Sequence, residues 1–243
     1  MAAPSAPLAL AVTYGGAVTI ASPAATPRRA VVRTPRTDVR QAPVPAVIAG
    51  LLAVGGGVVC RFAFPDPGWW PLAPLAVAML TVAVRGRAAH HGAALGLLFG
   101  MAFFVPLLSW SGVYVGVVPW FALATLQSLY LAALGATTAV WLGAGSRSGT
   151  MVTAVVVGAL WVGQEALRDR TPYGGFPWAR LAFSQADSPM GHLAALGGAP
   201  LVTFATALVG AFLAAGVLHL VQGNGAASAS AAVLGAVLCG AAG

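Results

Sequence analysis

The sequence predicts an all-α protein, a polytopic transmembrane bundle of about six to seven helices with a cytoplasmic N-terminus. Three observations carry this prediction. Side chains counted as hydrophobic make up 59% of the 243 residues and charged ones 7%, against about 25% charged in soluble domains. From Val44 onward, apolar runs alternate with short polar punctuation. The arginines fall unevenly between the two sides that such a bundle would have. Twelve basic and five acidic residues are too few to keep a 24.2 kDa globule in water. A soluble enzyme, a disordered regulator and a nucleic-acid-binding domain are all disfavoured. The net charge of +7 does not restore the last of these, because much of it lies in a terminal tail.

Residues 1–43 form that tail, rich in Pro, Ala and Thr and carrying Arg28, Arg29, Arg33, Arg36 and Arg40 against Asp38. Its weak apolar stretch precedes the basic residues, the wrong order for a signal peptide. It reads as a disordered basic segment that sets topology rather than one that binds nucleic acid. Residues 44–243 read as the bundle. A crossing needs about 20 helical residues, and the apolar runs place spans at Val44–Cys60, Trp69–Val84, Gly92–Trp110, Val117–Leu142, Thr150–Leu167, Pro200–Val221 and Ala226–Gly243. The second contains Pro71 and Pro74 near its start, and the seventh runs straight into the last residue.

The arginines set the orientation. With the tail inside, its five Arg join Arg85, Arg87 and Arg147, against Arg61, Arg168, Arg170 and Arg180 outside. Eight against four satisfies the positive-inside rule. Within the third span, Gly92, Gly96 and Gly100 recur every four residues on one face, the pattern by which membrane helices approach closely.

Polar chemistry concentrates between spans five and six. The run Gln164-Glu165-Ala166-Leu167-Arg168-Asp169-Arg170 is followed by Tyr173, Gly174-Gly175-Phe176-Pro177-Trp178-Ala179-Arg180 and Phe183-Ser184-Gln185-Ala186-Asp187-Ser188-Pro189. Glu165 and Arg168, three apart, can pair on one helix face. Glu165 lies near the end of its span, so its desolvation should be modest. Ser188-Pro189 resembles a helix start, and the two glycines favour a tight turn bearing aromatics. One reading is an aromatic belt with arginines reaching lipid phosphate. The sharper one is a lipid-substrate site, since Arg suits bidentate phosphate recognition and aromatic walls suit acyl chains.

Other chemistry is poorly supported. The chain has no Lys, so it cannot supply a lysine nucleophile or an ammonium partner to an oxyanion. Cys60 and Cys239 lie far apart in apolar surroundings and read as inert thiols. The histidines His90, His91, His192 and His219 have no spacing that gathers three metal ligands. No cofactor motif is present.

The segment "FAFPDPGWWPLAPLAVAML" after the first span resembles the first outer loop of apolipoprotein N-acyltransferases. "GALWVGQEALRDR…GGFPWARLAFSQADSPMGHLAALGG" resembles the stretch those enzymes carry between their fifth and sixth helices. The similarity runs over roughly Pro45 to Val221. It implies a multi-pass protein of the bacterial plasma membrane that moves an acyl chain from phospholipid to the α-amino group of a lipoprotein's diacylglyceryl-cysteine. In that family a Glu-Lys-Cys triad in a nitrilase-like domain carries the reaction through a thioester. With no Lys, both Cys in spans and Glu165 in the bundle, no catalytic residue is transferred to this chain. The expectation is therefore the membrane domain, truncated after about the seventh helix, lacking the nitrilase-like part and inactive alone.

The positions matching family motifs are Phe176, Pro177, Trp178, Ser184 and Gln185. With Glu165, Arg168, Tyr173 and Arg180 they form the expected substrate-binding set, shaping the approach for phospholipid and lipoprotein. Two alternatives remain in view. One is a stand-alone lipid-binding scaffold working with a separate nitrilase-like subunit, which co-purification would reveal. The other is a small transporter, disfavoured because no span interior was expected to carry a charge.

Overall fold

The computed structural model describes residues 44–143 and 148–223, and these are helical throughout their regular structure. The predicted all-α bundle is what forms. The N-terminal tail, Arg147 and the seventh expected span lie outside the described residues.

Among the described residues seven α-helices run in order: α1 (Ala46–Phe62), α2 (Leu72–Val84), α3 (Ala89–Leu107), α4 (Ser109–Val115), α5 (Val117–Trp141), α6 (Thr150–Arg168) and α7 (Ala194–Val221). Two 3-10 helices, Leu181–Gln185 and Pro189–Leu193, sit between α6 and α7. Four of the helical runs are long and apolar enough to cross a membrane: α3, α5, α6 and the run ending in α7. The shorter α1 and α2 are apolar as well. With 13 residues α2 is only about 20 Å long. The irregular segment before it puts Ala63 and Phe64 into the core and leaves Pro65, Asp66, Pro67, Trp69 and Pro71 exposed at the end of the bundle.

Several span limits shift by two or three residues or more, and two of these shifts have a local cause. The third span was drawn through to Trp110, but α3 stops at Leu107 and Trp110 belongs to the separate helix α4. Pro106 occupies the last turn of α3 and cannot donate to the helical ladder. The Trp120 indole instead donates to the Val105 carbonyl at 3.0 Å. The sixth span was expected from Pro200, whereas α7 begins at Ala194. Its continuity is interrupted at Gly197 and Gly198, which have non-helical backbone angles, so Pro200 does open the long regular segment.

Packing follows small residues. α3 and α5 make the most extensive helix–helix contact, and the glycine face of α3 is its reason. A Cβ on Gly96 would lie 2.1 Å from the Leu131 carbonyl oxygen, and one on Gly92 would lie 2.4 Å from that of Gly135. The four-residue glycine spacing therefore reports a real backbone contact. α1 packs on α2 and α3, α7 on α2 and α6, and α5 on α6.

The bundle is inverted relative to a soluble fold. Val47, Leu51, Val54, Val58 and Phe62 form an exposed apolar stripe along α1, and Gln127, Ser128, Thr138, Thr203 and Thr206 are buried. Ser128 and Thr206 satisfy their hydroxyls on their own helices, donating to Ala124 and Val202 carbonyls. Such a surface suits a lipid solvent, where apolar faces need no cover and polar groups must be paired within.

The loops segregate to two ends. At one, Arg87 donates to the Val44 carbonyl at 2.6 Å and the Gly86 amide to that of Leu142, joining the ends of α1, α2 and α5. The other gathers residues 63–71, α4 and the 169–193 loop.

The α3–α5 contact yields a prediction. Gly96→Ala should lower stability by about 1–3 kcal/mol through overpacking. Gly50→Ala, where an added Cβ meets nothing within 4 Å, should be neutral or slightly stabilising through helix propensity. Thermal unfolding of the two variants in one detergent checks the contrast.

Candidate functional site

The last turn of α6 presents Glu165, Arg168 and Asp169 to the loop that follows, and each holds a different part of it. Glu165 is 4% exposed and Arg168 1%. The Glu165 carboxylate accepts the Leu181 amide at 2.7 Å through Oε1 and the Thr203 hydroxyl of α7 at 2.8 Å through Oε2. Leu181 opens a 3-10 helix, whose free amides favour an anion. Arg168 donates from Nη1 to the Trp178 carbonyl at 2.6 Å and from Nη2 to that of Ala179 at 3.3 Å. Its Nη1 also reaches Gln127 Oε1 of α5 at 3.5 Å. The guanidinium carbon lies 5.3 Å from the centre of the Phe104 ring of α3, within cation–π range. Asp169 forms an ion pair with Arg180.

Thus one helical turn grips every residue from Trp178 to Leu181. The chain reaches that grip through Gly174 and Gly175, both at positive φ. At Gly175 a Cβ would stand 2.1 Å from the Asp169 carbonyl carbon, so only glycine fits between the turn and the end of α6. The tight aromatic turn expected from the two glycines is present. Ala179 also has a positive φ, 56°, which is unfavourable for a residue bearing a Cβ.

Further along, Gln185 is fully buried, and its Nε2 donates to the Trp70 carbonyl at 3.1 Å and to the Ser184 hydroxyl at 2.9 Å. Ser184 in turn donates to the Leu181 carbonyl. These bonds tie the 169–193 loop to the loop between α1 and α2. Ser188 does precede a helix start, but the helix is 3-10 and the hydroxyl donates back to the Gln185 carbonyl instead of capping it.

Above this buried layer stands an aromatic rim. Trp178 is about half exposed and its ring centre lies 5.7 Å from that of Trp110 on α4. The Phe176 ring centre lies 6.2 Å from that of Trp178. Pro177 is exposed, and Tyr173 fully so.

The nine expected site residues therefore divide. Glu165, Arg168, Ser184 and Gln185 are buried and bonded to protein, while Tyr173, Pro177 and Trp178 are exposed and Phe176 and Arg180 are intermediate. Three expectations need correction. Among the described residues Glu165 and Arg168 form no ion pair with each other; they share a face but grip different segments. Glu165 is buried by the folded-back loop, so its desolvation is not modest. The bundle interior does hold charge, at the end of α6. Of the arginines at this end, only Arg170 is exposed; Arg61 and Arg170 donate to carbonyls four or five residues away, while Arg168 and Arg180 bond to segments ten or eleven residues distant.

Several participants were not singled out from the sequence. Gln127 carried a usable signal, a polar residue inside a 25-residue apolar helix. Thr203 and Trp110 carried none, because their role depends on which helices become neighbours.

A helical membrane bundle, closed at one end by buried charge beneath an aromatic rim, defines the class: an integral membrane domain with a structured interfacial end. The family model described as "Apolipoprotein N-acyltransferase N-terminal domain" matches residues 56–212, from α1 into α7 and across the whole of this end. The chain belongs to that family. It is 41% identical over 165 residues to the apolipoprotein N-acyltransferase of Mycolicibacterium smegmatis, covering 65% of this chain and 26% of the relative. It is 34% identical over 159 residues to that of Methylococcus capsulatus, covering 62% of this chain and 31% of the relative. With that of Pseudomonas syringae pv. tomato the identity is 30% over 173 residues, 67% and 34% of the two chains. The matched part thus spans about a quarter to a third of the length of these curated relatives.

Arg168→Ala should destabilise the protein by about 2–5 kcal/mol, because it leaves the Trp178 and Ala179 carbonyls without their buried donor. Arg170→Ala, two residues on and exposed, should stay within about 0.5 kcal/mol. Chemical denaturation of both variants in mixed micelles tests the difference.

Proposed function

We propose that this chain is the membrane domain of an apolipoprotein N-acyltransferase of the bacterial plasma membrane. In this reading the protein serves transfer of an acyl chain from phospholipid to the α-amino group of a lipoprotein's diacylglyceryl-cysteine. The observation that carries the reading is the family match over residues 56–212, a range that includes the gripped loop and its aromatic rim. An exposed rim of Tyr173, Pro177 and Trp178, with Phe176 behind, offers apolar walls for acyl chains. Glu165, Arg168, Arg180, Ser184 and Gln185 serve it from beneath as a frame.

The end bearing the rim faces outward. By sequence, Arg28, Arg29, Arg33, Arg36 and Arg40 precede α1 and Arg147 follows α5, so with Arg85 and Arg87 eight arginines flank the opposite end, against Arg61, Arg168, Arg170 and Arg180 at this one. The larger arginine count at the opposite end favours the cytoplasm there.

The 243 residues cannot by themselves supply a Glu-Lys-Cys triad of the kind the family resemblance implies. They contain no Lys, and Cys60 is buried within α1. The nucleophile and its activating groups come from polypeptide beyond these residues, and the bundle presents both lipids to them.

The purified 243-residue protein, reconstituted with phospholipid and a diacylated lipopeptide, is expected to bind the lipopeptide without forming triacylated product. Turnover would overturn the assignment of chemistry to polypeptide elsewhere. Absence of saturable binding would overturn the substrate role of the rim.

A further inference from the structure

Trp178 sits at the head of four consecutive residues whose backbone or side chain is held by α6. Arg168 takes the carbonyls of Trp178 and Ala179, Asp169 takes the Arg180 side chain, and Glu165 takes the Leu181 amide. Between them lies Ala179, in the left-handed region at φ 56° and 6% exposed. An alanine has no local reason to adopt that conformation. Strained residues persist where their surroundings over-determine them, and here the surroundings are a buried guanidinium accepting no alternative partner from solvent.

We infer that Arg168 is the positioning residue of the rim: by holding Ala179 left-handed it turns the Trp178 indole outward onto Trp110. This rests on the reading of that rim as the substrate-facing surface, and it reassigns Arg168 from lipid ligand to frame. Two features support a positioning role over generic packing. The donors are directed at successive carbonyls, which a planar fork satisfies and a single ammonium does not. The side chain beside the held carbonyls is the large aromatic one, about half exposed and within aromatic contact of both Trp110 and Phe176.

The test uses the full chain labelled with 5-fluorotryptophan in micelles and read by fluorine NMR. Of the seven Trp lines, that of Trp178 is identified by its loss in Trp178→Phe. Arg168→Lys, which keeps the charge but not the fork, should shift or split the Trp178 line by more than a linewidth. The line of Trp141, at the far end of α5, should stay in place as a measure of intact fold. Adding Ala179→Gly, which makes the left-handed conformation inexpensive, should return the Trp178 line toward its wild-type position. An unmoved Trp178 line in a folded Arg168→Lys variant overturns the inference, as does a double variant with no recovery.

Should Arg168→Lys fail to fold, Ala179→Val provides the second route. A β-branched residue resists positive φ, so with Arg168 intact the Trp178 line alone should move; no movement overturns the inference. Titration of the wild type with diacylated lipopeptide separates the two levels. A Trp178 line that obeys Arg168 yet ignores lipopeptide leaves the positioning role standing and removes the substrate reading of the rim.

Discussion

The structure depends on burying one carboxylate and one guanidinium at the end of a membrane helix. Isolated, either charge would be costly in an apolar interior. Their cost is offset because each finds directed backbone partners: Glu165 an amide at the opening of a 3-10 helix, Arg168 two successive carbonyls. The same bonds decide where the loop goes. Once residues 178–181 are fixed, Gln185 can reach the Trp70 carbonyl and Thr203 of α7 can reach Glu165. The ends of α1, α3, α5, α6 and α7 are joined through this polar layer.

Elsewhere the bundle has a simpler logic. In lipid there is no hydrophobic drive to bring helices together, so association relies on close packing and internal hydrogen bonds. Glycines give α3 and α5 backbone contact, while the Thr81, Ser128 and Thr206 hydroxyls bond to their own helices. The apolar residues left outside, such as the stripe from Val47 to Phe62, need no partner other than acyl chains. The two ends are accordingly different in character: one is tied by Arg87 and backbone bonds, the other by buried charge with aromatics above.

Much of this was legible in the sequence, for physical reasons that can be named. Hydropathy gave the helices because the bilayer imposes length and composition on each crossing. The spacing of Gly92, Gly96 and Gly100 announced a close contact, and the density of charge from Glu165 to Arg170 announced the end that matters. What stayed hidden depends on non-local geometry. The stop at Leu107 and the break at Gly197-Gly198 follow from Pro106 and from glycine angles that hydropathy does not register. The fate of Arg168 was hidden most completely. Sequence spacing pointed to Glu165 or to lipid phosphate, whereas its partners are carbonyls eleven residues and fewer away, exposed to it only because Ala179 is left-handed.

The central claim is that the rim around Trp178 is where this membrane domain meets its lipidated substrate. Site-specific photo-crosslinking addresses it most directly. A benzophenone amino acid placed at Trp178 in the reconstituted protein should capture a diacylated lipopeptide, competed by unlabelled lipopeptide. The same probe at Val140, an exposed apolar position toward the opposite end of α5, should capture bulk phospholipid only. Equal lipopeptide capture at both positions, or none at Trp178, would contradict the account.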